Sequence, residues 1–433
     1  MNKKNCLIKV FIIISVFLSS NTLANEQSLN NLSLKQSIQL FEVNNREVLL
    51  ANRNIEGAKA DILTAGQIPN PTLSVGVSNI NLNTNQGNTN TQQSDSLANK
   101  TIQSVLQVSQ LFERGDKRNI RLAAADKALI ASRLDFKNTL RQQKLILQNA
   151  YYDLLLAQET ERIQQINVDL YAKSLNVAEL RLKVGDIAAS DVARIKVDVL
   201  RSQNDLRQSL ANRQKAQSNL AYLIGKENNA NEIIAIDTWP STDIKLINHA
   251  DKSKLNDRPD ILAAEIRTKQ ANDILSLAKS LKSRDVTVNL AYQHFPGQEP
   301  GVGVNTIGAT VSFPLFTNYE YKGEIGRAEV NYYQAQDLKE QIKALAIGEI
   351  SKAESDLSSS IDRVKRYDEQ ALGEAQKVAD AAEFAYQHGA INLTDLLDAR
   401  RTLRSIELDA VNSHADFAKS LASWLAAIKF END

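Results

Sequence analysis

The chain has 433 residues, with 51 basic and 51 acidic side chains, so it carries no basic excess of the kind that nucleic-acid binding favours. Its one cysteine, Cys6, lies near the N-terminus, which excludes disulfides and cysteine-based metal sites from the rest of the chain. Glycine (16) and proline (7) are scarce, a composition typical of long helices and coiled coils.

The first predicted element is a secretory signal peptide at residues 1–24. A lysine-rich start is followed by an apolar run, Leu7–Leu18, that is too short to span a membrane, and then by Thr22-Leu23-Ala24. We expect cleavage after Ala24. In a lipoprotein the lipid-bearing cysteine follows the apolar run of the signal peptide. Cys6 instead precedes that run, so we expect no lipid anchor. No later stretch is apolar enough for a membrane helix.

Four short segments alternate apolar and polar residues with a period of two, which is the pattern of β-strands. They form two pairs, the first joined by a polar loop at about 82–100 and the second by a Pro- and Gly-rich connection at 294–304. Their apolar members are Leu73, Val75 and Val77; Ile102, Leu106 and Val108; Val286, Val288, Leu290 and Tyr292; and Ile307, Ala309, Val311 and Phe313.

Each strand pair is followed by a tract without proline. No proline occurs between Gly115 and Trp239, and no glycine between Asp116 and Val184. Because these residues are the strongest helix breakers, the sequence predicts a helix from about Lys117 to Leu182, roughly 100 Å long. Such a helix suits a structure that spans a distance.

Seven-residue spacings of apolar residues indicate helices packed side by side in a coiled-coil wall. Three lines follow this spacing. The first occupies the a and d heptad positions with one break at Lys173, and the second is interrupted at Arg213. Their members are Ile163, Ile166, Leu170, Val177, Leu180 and Val184; Val192, Val199, Leu206 and Leu220; and Leu396, Leu403, Ala410, Phe417 and Trp424.

The chain also repeats itself once. Gly185–Val192 aligns with Gly389–Leu396 at an offset of 204 residues, and Val108-Ser109 matches Val311-Ser312 at nearly the same offset. Each half therefore runs helix, strand, strand, long helix, turn, long helix, which indicates an internal duplication. The predicted divisions are a signal peptide (1–24), a first repeat (25–225), a linker or equatorial segment (226–256) and a second repeat (257–433).

Gly185 and Gly389 are expected to close the long helices in the left-handed conformation. Ser190 and Thr394 suit the N-caps of the returning helices, and an aspartate follows each one in the first helical turn. Both turns are therefore predicted to be the tips of helical hairpins, at the opposite end of the molecule from the strands.

Four strands cannot close a transmembrane barrel, since the smallest has about eight. An open sheet in lipid would leave unpaired backbone groups at its edges. If the chain enters a membrane, copies must combine their strands, and three copies give twelve strands with room for a pore.

The duplicated strand pairs, the paired turns and the long helices resemble the TolC family of outer membrane efflux proteins over nearly the whole chain. Phe112-Glu113-Arg114-Gly115-Asp116-Lys117-Arg118 is similar to a stretch of the CzcC-like, heavy-metal branch, and Arg258-Pro259-Asp260-Ile261 is also typical of the family. The resemblance implies a mainly α fold: a homotrimer with a twelve-stranded outer membrane β-barrel and a helical tunnel through the periplasm.

The resemblance further implies a passive exit duct for heavy-metal cations (cobalt, zinc and cadmium, or copper and silver). A periplasmic adaptor and an inner-membrane transporter of the resistance-nodulation-division type would deliver the ions. We expect no enzymatic activity and no cofactor. The alternatives are the same duct for drugs or organic solutes, a role in type I secretion, and a periplasmic coiled-coil scaffold without a pore.

Family gate residues transfer to Tyr386, its acidic partner Asp191, and a pore constriction at Asp395 and Asp398. Ile391 stands where the family has a gating arginine, so the cationic partner of the family's salt bridge between the hairpins is missing at this position. For each aspartate, compensation of the helix dipole is the alternative interpretation. The expected adaptor-contacting tips are Gly185, Ser190, Gly389 and Thr394.

The four histidines are scattered through the sequence. No two of them have metal-ligand spacing, so we expect no high-affinity metal site. They are His249, His294, His388 and His414.

Overall fold

The structure is a computed structural model that describes residues 29–78, 103–243, 252–294 and 305–428. Several predictions fall outside these ranges and concern the expected signal peptide with Cys6, the loop at 82–100, nearly all of the 294–304 connection, part of the 226–256 segment, and His249.

The described chain is mainly helical and carries one four-stranded sheet. The helices are α1 (Leu34–Asn44), α2 (Arg46–Ala65), α3 (Lys117–Lys183), α4 (Ala189–Ile224), α5 (Pro259–Ser280), α6 (Lys322–Arg366), α7 (Leu372–Gln387) and α8 (Leu393–Ile428). The strands are β1 (Thr72–Ser78), β2 (Gln103–Phe112), β3 (Val286–His294) and β4 (Asn305–Ser312). Within the described ranges, every helix is too short or too polar to cross a lipid bilayer.

The four predicted strands are confirmed, and they form one antiparallel sheet in chain order, β1-β2-β3-β4. Of the predicted members, Phe313 lies just after β4, and Ile102 lies outside the described residues. The register aligns Val75 with Leu106, Leu106 with Tyr292, and Tyr292 with Ile307, so that one row of apolar residues crosses the whole sheet. Because side chains alternate between faces, this face is mainly apolar and mostly exposed, with Ser104, Gln110, His294 and Asn305 as its polar members. The opposite face carries polar side chains, including a contact of 3.4 Å between Gln107 and Asn289.

Helix α3 has 67 residues, so it is about 100 Å long and matches its prediction to within one residue. It ends at Gly185, whose φ is +78°, and the Asp186 N–H donates to the Arg181 carbonyl at 2.9 Å. This six-residue closure is a Schellman motif, which satisfies carbonyl groups at the helix end. Gly389 has a φ of +71° and forms the same closure, so the two predicted turns share one backbone geometry.

The element order also occurs twice, as α2-β1-β2-α3-α4 and as α5-β3-β4-α6-α7-α8. One difference separates the halves: in the second, a π-helical turn at Tyr367–Ala371 interrupts the long helix between α6 and α7. The helix of the second half that corresponds to α3 is therefore divided into α6 and α7.

The hydrophobic core lies where α1, α3, α4 and the segment after α4 meet. Phe41, Tyr151 and Ile224 are fully buried there, together with Ile233 of the 226–256 segment. The Tyr151 hydroxyl donates to the Leu32 carbonyl at 2.9 Å. The described part of the 226–256 segment is therefore packed onto the helices.

The heptad lines have different outcomes. The line through Leu396, Ala410, Phe417 and Trp424 is buried except at its member Leu403, which is half-buried. The line proposed for 163–184 does not face the same chain, because after Ile163 its members are exposed. A neighbouring line faces inward instead, through Asn167, Tyr171 and Ala178.

Candidate functional site at the hairpin turns

The two hairpin turns lie side by side and share a cleft, which we call the turn cleft. It is lined by Asp186 and Asp191 from the first hairpin and by Tyr386, Gly389 and Ile391 from the second. The structure therefore brings the predicted gate residues Asp191 and Tyr386 to one site. Within the described residues, no hydrogen bond joins these two side chains.

A cation does reach Tyr386, but from the other hairpin. The Arg181 guanidinium lies 5.0 Å from the centre of the Tyr386 ring, and its Nε is 3.5 Å from Asp186 Oδ2. A cation over an aromatic ring is attracted by the negative ring face. Ile391 supplies no charge, so Arg181 provides the guanidinium in this cleft. The sequence prediction missed Arg181 because it looked for the cation only at position 391.

The predicted N-caps are wrong. Helix α4 begins at Ala189 with Ala188 as its cap residue, so Ser190 already lies inside the first turn. Helix α8 begins at Leu393, and the Asp395 N–H donates to Asn392 Oδ1 at 2.9 Å, so Asn392 caps it. Each returning helix is capped two residues earlier than predicted, at Ala188 instead of Ser190 and at Asn392 instead of Thr394. The Thr394 hydroxyl is free to accept from Arg194 Nη1 at 3.0 Å, which links the hairpins.

A stronger link between the hairpins lies one to two turns further from the tips. Arg401 Nη2 of α8 donates to both carboxylate oxygens of Asp198 on α4, at 2.9 and 2.8 Å. Asp198 is only 5 % exposed, whereas the Arg401 side chain is 46 % exposed. The hydrogen bonds that Arg401 donates to Asp198 outweigh the smaller effect of burial and raise the pKa of Arg401.

The same arginine reaches a predicted constriction residue. Arg401 Nη1 lies 3.0 Å from Asp398 Oδ1, within α8. The Asp398 carboxylate is therefore partly neutralised inside its own chain. Asp395 is exposed and, within the described residues, forms no ion pair, so its charge is the freer of the two predicted ring positions.

The ion pairs between hairpins continue upward along the helices. Arg404 of α8 pairs with Asp205 of α4, and Arg400 of α8 bonds Ser174 of α3. Arg400 also pairs with Glu383 of α7 within the second hairpin. The sequence does not display the two links between hairpins because their members are 199 and 226 residues apart. One signal was present: Asp191, Asp198 and Asp205 are seven residues apart and therefore share a face of α4.

A second cleft separates α4 from α8, and we call it the arginine groove. Arg194 and Arg201 of α4 and Arg401 of α8 line it, with Asp198 and Leu397 on its floor. Ser190 and Thr394, both predicted adaptor contacts, also line it. The groove and the turn cleft together contain every predicted tip residue except Gly185 and the two ring aspartates, which lie beside them.

The two family motifs have structural roles away from the tips. Gly115 has a φ of +72° and packs so closely on Ser283 that a Cβ would lie 2.5 Å from it, and Lys117 Nζ is 2.7 Å from Asp285. This motif therefore fastens the start of α3 to the entry of β3. Arg258, only 2 % exposed, donates to Asp260 at 3.0 and 2.7 Å.

Arg258 also ties three helices together near the middle of the molecule. Its Nη2 donates to Glu349 of α6 at 2.7 Å, and Arg141 of α3 lies 3.8 Å from Asp260. Burial alone would raise the pKa of Asp260, but its hydrogen bonds with Arg258 and the nearby charges of Arg258 and Arg141 outweigh that effect and lower it. The second motif is thus a structural clasp.

The described histidines have separate partners. His294 contacts Asn305, His388 contacts the Phe384 carbonyl, and His414 Nε2 lies 3.0 Å from Asp368 Oδ1. In the ranges that the structure covers, no group of three or more His, Asp or Glu side chains is arranged to hold a metal ion.

Comparison with known proteins gives a consistent set of relatives. The model of the family described as Outer membrane efflux protein matches residues 37–226 and 252–428. The chain is 22% identical over 377 residues to the cobalt-zinc-cadmium resistance protein CzcC of Cupriavidus metallidurans, covering 86% of this chain and 84% of that one. It is 24% identical to the pyoverdine export outer membrane protein OpmQ of Pseudomonas aeruginosa, covering 87% of this chain and 81% of OpmQ.

The fold has solved counterparts. The crystal structure of the Campylobacter jejuni CmeC outer membrane channel superposes with a TM-score of 0.76 at 16% sequence identity, covering 91% of this chain and 85% of that one.

Proposed function

Because the chain belongs to the outer membrane efflux protein family, we propose that it forms the outer-membrane exit duct of a tripartite efflux pump, with heavy-metal cations as its cargo. The observation that carries this proposal is the open four-stranded sheet with one exposed apolar face and one polar face. The proposed duct is passive.

The sheet explains why copies must associate. In the described residues β1 and β4 each pair on one side only, so both sheet edges keep unpaired N–H and C=O groups. Such groups cost several kcal/mol each in a lipid environment. Three copies would join these edges into a twelve-stranded barrel, with the face that carries Val75 and Ile307 toward lipid and the face that carries Gln107 and Asn289 toward water.

The helices extend this pore into the periplasm. At about 100 Å, α3 is several times longer than a bilayer is thick, so the hairpin turns lie far from the sheet. We assign the constriction to these turns, with Asp395 as the freest ring carboxylate and Asp398 shared with Arg401. The Asp198–Arg401 pair and the Arg181–Tyr386 contact hold the hairpins together in the closed state.

Of the two relatives described above, one supports metal ions as the substrate and the other supports an organic solute. CzcC is by name a cobalt-zinc-cadmium resistance protein, whereas OpmQ is by name a pyoverdine export protein, and the two are similarly related to this chain. Rings of carboxylates attract cations, which favours metal cargo. Export of drugs or other organic solutes is the second candidate.

The partners follow from the duct itself. A passive pore needs a transporter that supplies energy and an adaptor that joins the two. The family resemblance implies a periplasmic adaptor and an inner-membrane transporter of the resistance-nodulation-division type, and we assign both as partners. The chain reaches the outer membrane through the signal peptide expected at residues 1–24.

Deletion of the gene tests cargo and location together. We expect the deletion strain to become sensitive to cobalt, zinc, cadmium, copper or silver salts, and the wild-type gene to restore resistance. Sensitivity to drugs alone would favour the second candidate. The protein should fractionate with the outer membrane as a trimer, and a monomer released in the soluble periplasmic fraction would overturn the duct.

A further inference from the structure

The charged side chains that line the arginine groove are mainly basic. Ser190, Arg194, Val197 and Arg201 fall at helical spacing on one face of α4, so their side chains line one wall. Arg401 lines the opposite wall, on α8. Because position 190 carries a small side chain, the tip end of this wall leaves room for an inserted group.

Two of the three guanidiniums have no acidic partner. Arg401 is neutralised by Asp198 and Asp398. Arg194 bonds only the neutral hydroxyl of Thr394, and Arg201 is exposed. In the described part of the chain neither Arg194 nor Arg201 forms a salt bridge with a carboxylate.

The ends of the groove add to this positive field. Helices α4 and α8 both begin at the tip side, at Ala189 and Leu393, and helix N-termini carry partial positive charge. At the far side, the Arg404–Asp205 pair links the two walls. The groove therefore opens toward the tips, where a periplasmic partner would approach.

We propose that the arginine groove receives an acidic segment of a periplasmic partner protein, with two Asp or Glu side chains that pair with Arg194 and Arg201. Guanidinium groups bind carboxylates through paired hydrogen bonds, which gives such a contact geometric specificity. The inference rests on the proposed function, because the partner is the adaptor assigned there. It deepens that function by giving the chemistry that the adaptor tip must present.

Charge reversal in full-length protein in living cells tests the proposal. Arg201→Glu should lower metal resistance at least roughly tenfold, since a like charge then faces the acidic segment. The matched control is Lys196→Glu, which makes the same change on α4 about 140° around the helix from Arg201 and should retain resistance. Arg201→Gln, which adds no acid, should give an intermediate loss, and it remains informative if the Glu variant fails to assemble.

Purified Arg201→Glu should keep wild-type conductance in planar bilayers, which separates docking from pore formation. Suppressors that restore resistance should map to a periplasmic protein and replace Asp or Glu with Lys or Arg. The proposal would be overturned by wild-type resistance of Arg201→Glu or by an equal loss of resistance in Lys196→Glu. Suppressors confined to this chain would also overturn it, because they would assign the groove to contact between copies. Failure of the proposed function is a distinct result: deletion of the whole gene would then leave resistance unchanged.

Discussion

Asp198→Asn tests whether the pair between α4 and α8 keeps the tunnel closed. The substitution preserves the shape of the side chain and removes the charge that accepts two hydrogen bonds from Arg401. A hydrogen bond to a charged group contributes about 1.5–3 kcal/mol, and the exposure of Arg401 reduces the value here to about 1–2 kcal/mol. That free energy corresponds to a shift of about 5- to 30-fold toward the open state per chain.

The assay is the open probability of single channels in planar bilayers. Asp398→Asn is the matched control, because it removes a charge from the same arginine at a site whose side chain is 61 % exposed. Exposed pairs at this helical spacing contribute about 0.3–0.5 kcal/mol, so the control should change opening only about twofold. Equal open probabilities for the two variants, or no change in Asp198→Asn, would refute a latch at Asp198.

Three further outcomes test the ring carboxylates, the clasp and the turns. Asp395→Asn should lower the preference for cations in reversal-potential measurements more than Asp398→Asn does, because only Asp398 is neutralised within its chain; equal effects would contradict this ranking. Arg258→Met should lower thermal stability in circular dichroism melts. Because the folded-state pKa of Asp260 is lowered, the stabilisation by its carboxylate is present above about pH 4 and is lost as the pH falls through the folded-state pKa. The melting temperature of the Met variant should therefore depend less on pH in that acid range. An unchanged pH dependence would exclude the clasp. Gly389→Ala should lower the free energy of unfolding by about 1–2 kcal/mol, the usual penalty for an alanine in the left-handed region. Gly115→Ala should lower it more, because the added Cβ would also meet Ser283 at 2.5 Å. Equal melting temperatures for the two variants would contradict this difference.

The architecture could be predicted because local patterns determine it. Period-two alternation located all four strands, and the absence of helix breakers located α3 to within one residue. The family resemblance is confirmed by the match over residues 37–226 and 252–428. These features depend on neighbours in sequence, which a single chain displays directly.

The details of the candidate site depended on contacts that the sequence does not display. Arg181 beside Tyr386 and Arg401 beside Asp198 join residues about 200 positions apart, and only the packing of α3, α4, α7 and α8 brings them together. The N-caps at Ser190 and Thr394 were misplaced because a helix start depends on backbone geometry that varies by one or two residues.

The heptad line of α3 that the fold leaves exposed has a physical explanation in the proposed trimer. A helix can present one apolar line to its own chain and a second to another molecule. In α3 the inward line passes through Tyr171 and Ala178, while Val177 and Leu180 point outward and are 50 % and 62 % exposed. Exposed apolar residues at heptad spacing are what a coiled-coil seam with another helix requires. We therefore expect this exposed line to form a seam with a helix of another copy in the proposed trimer.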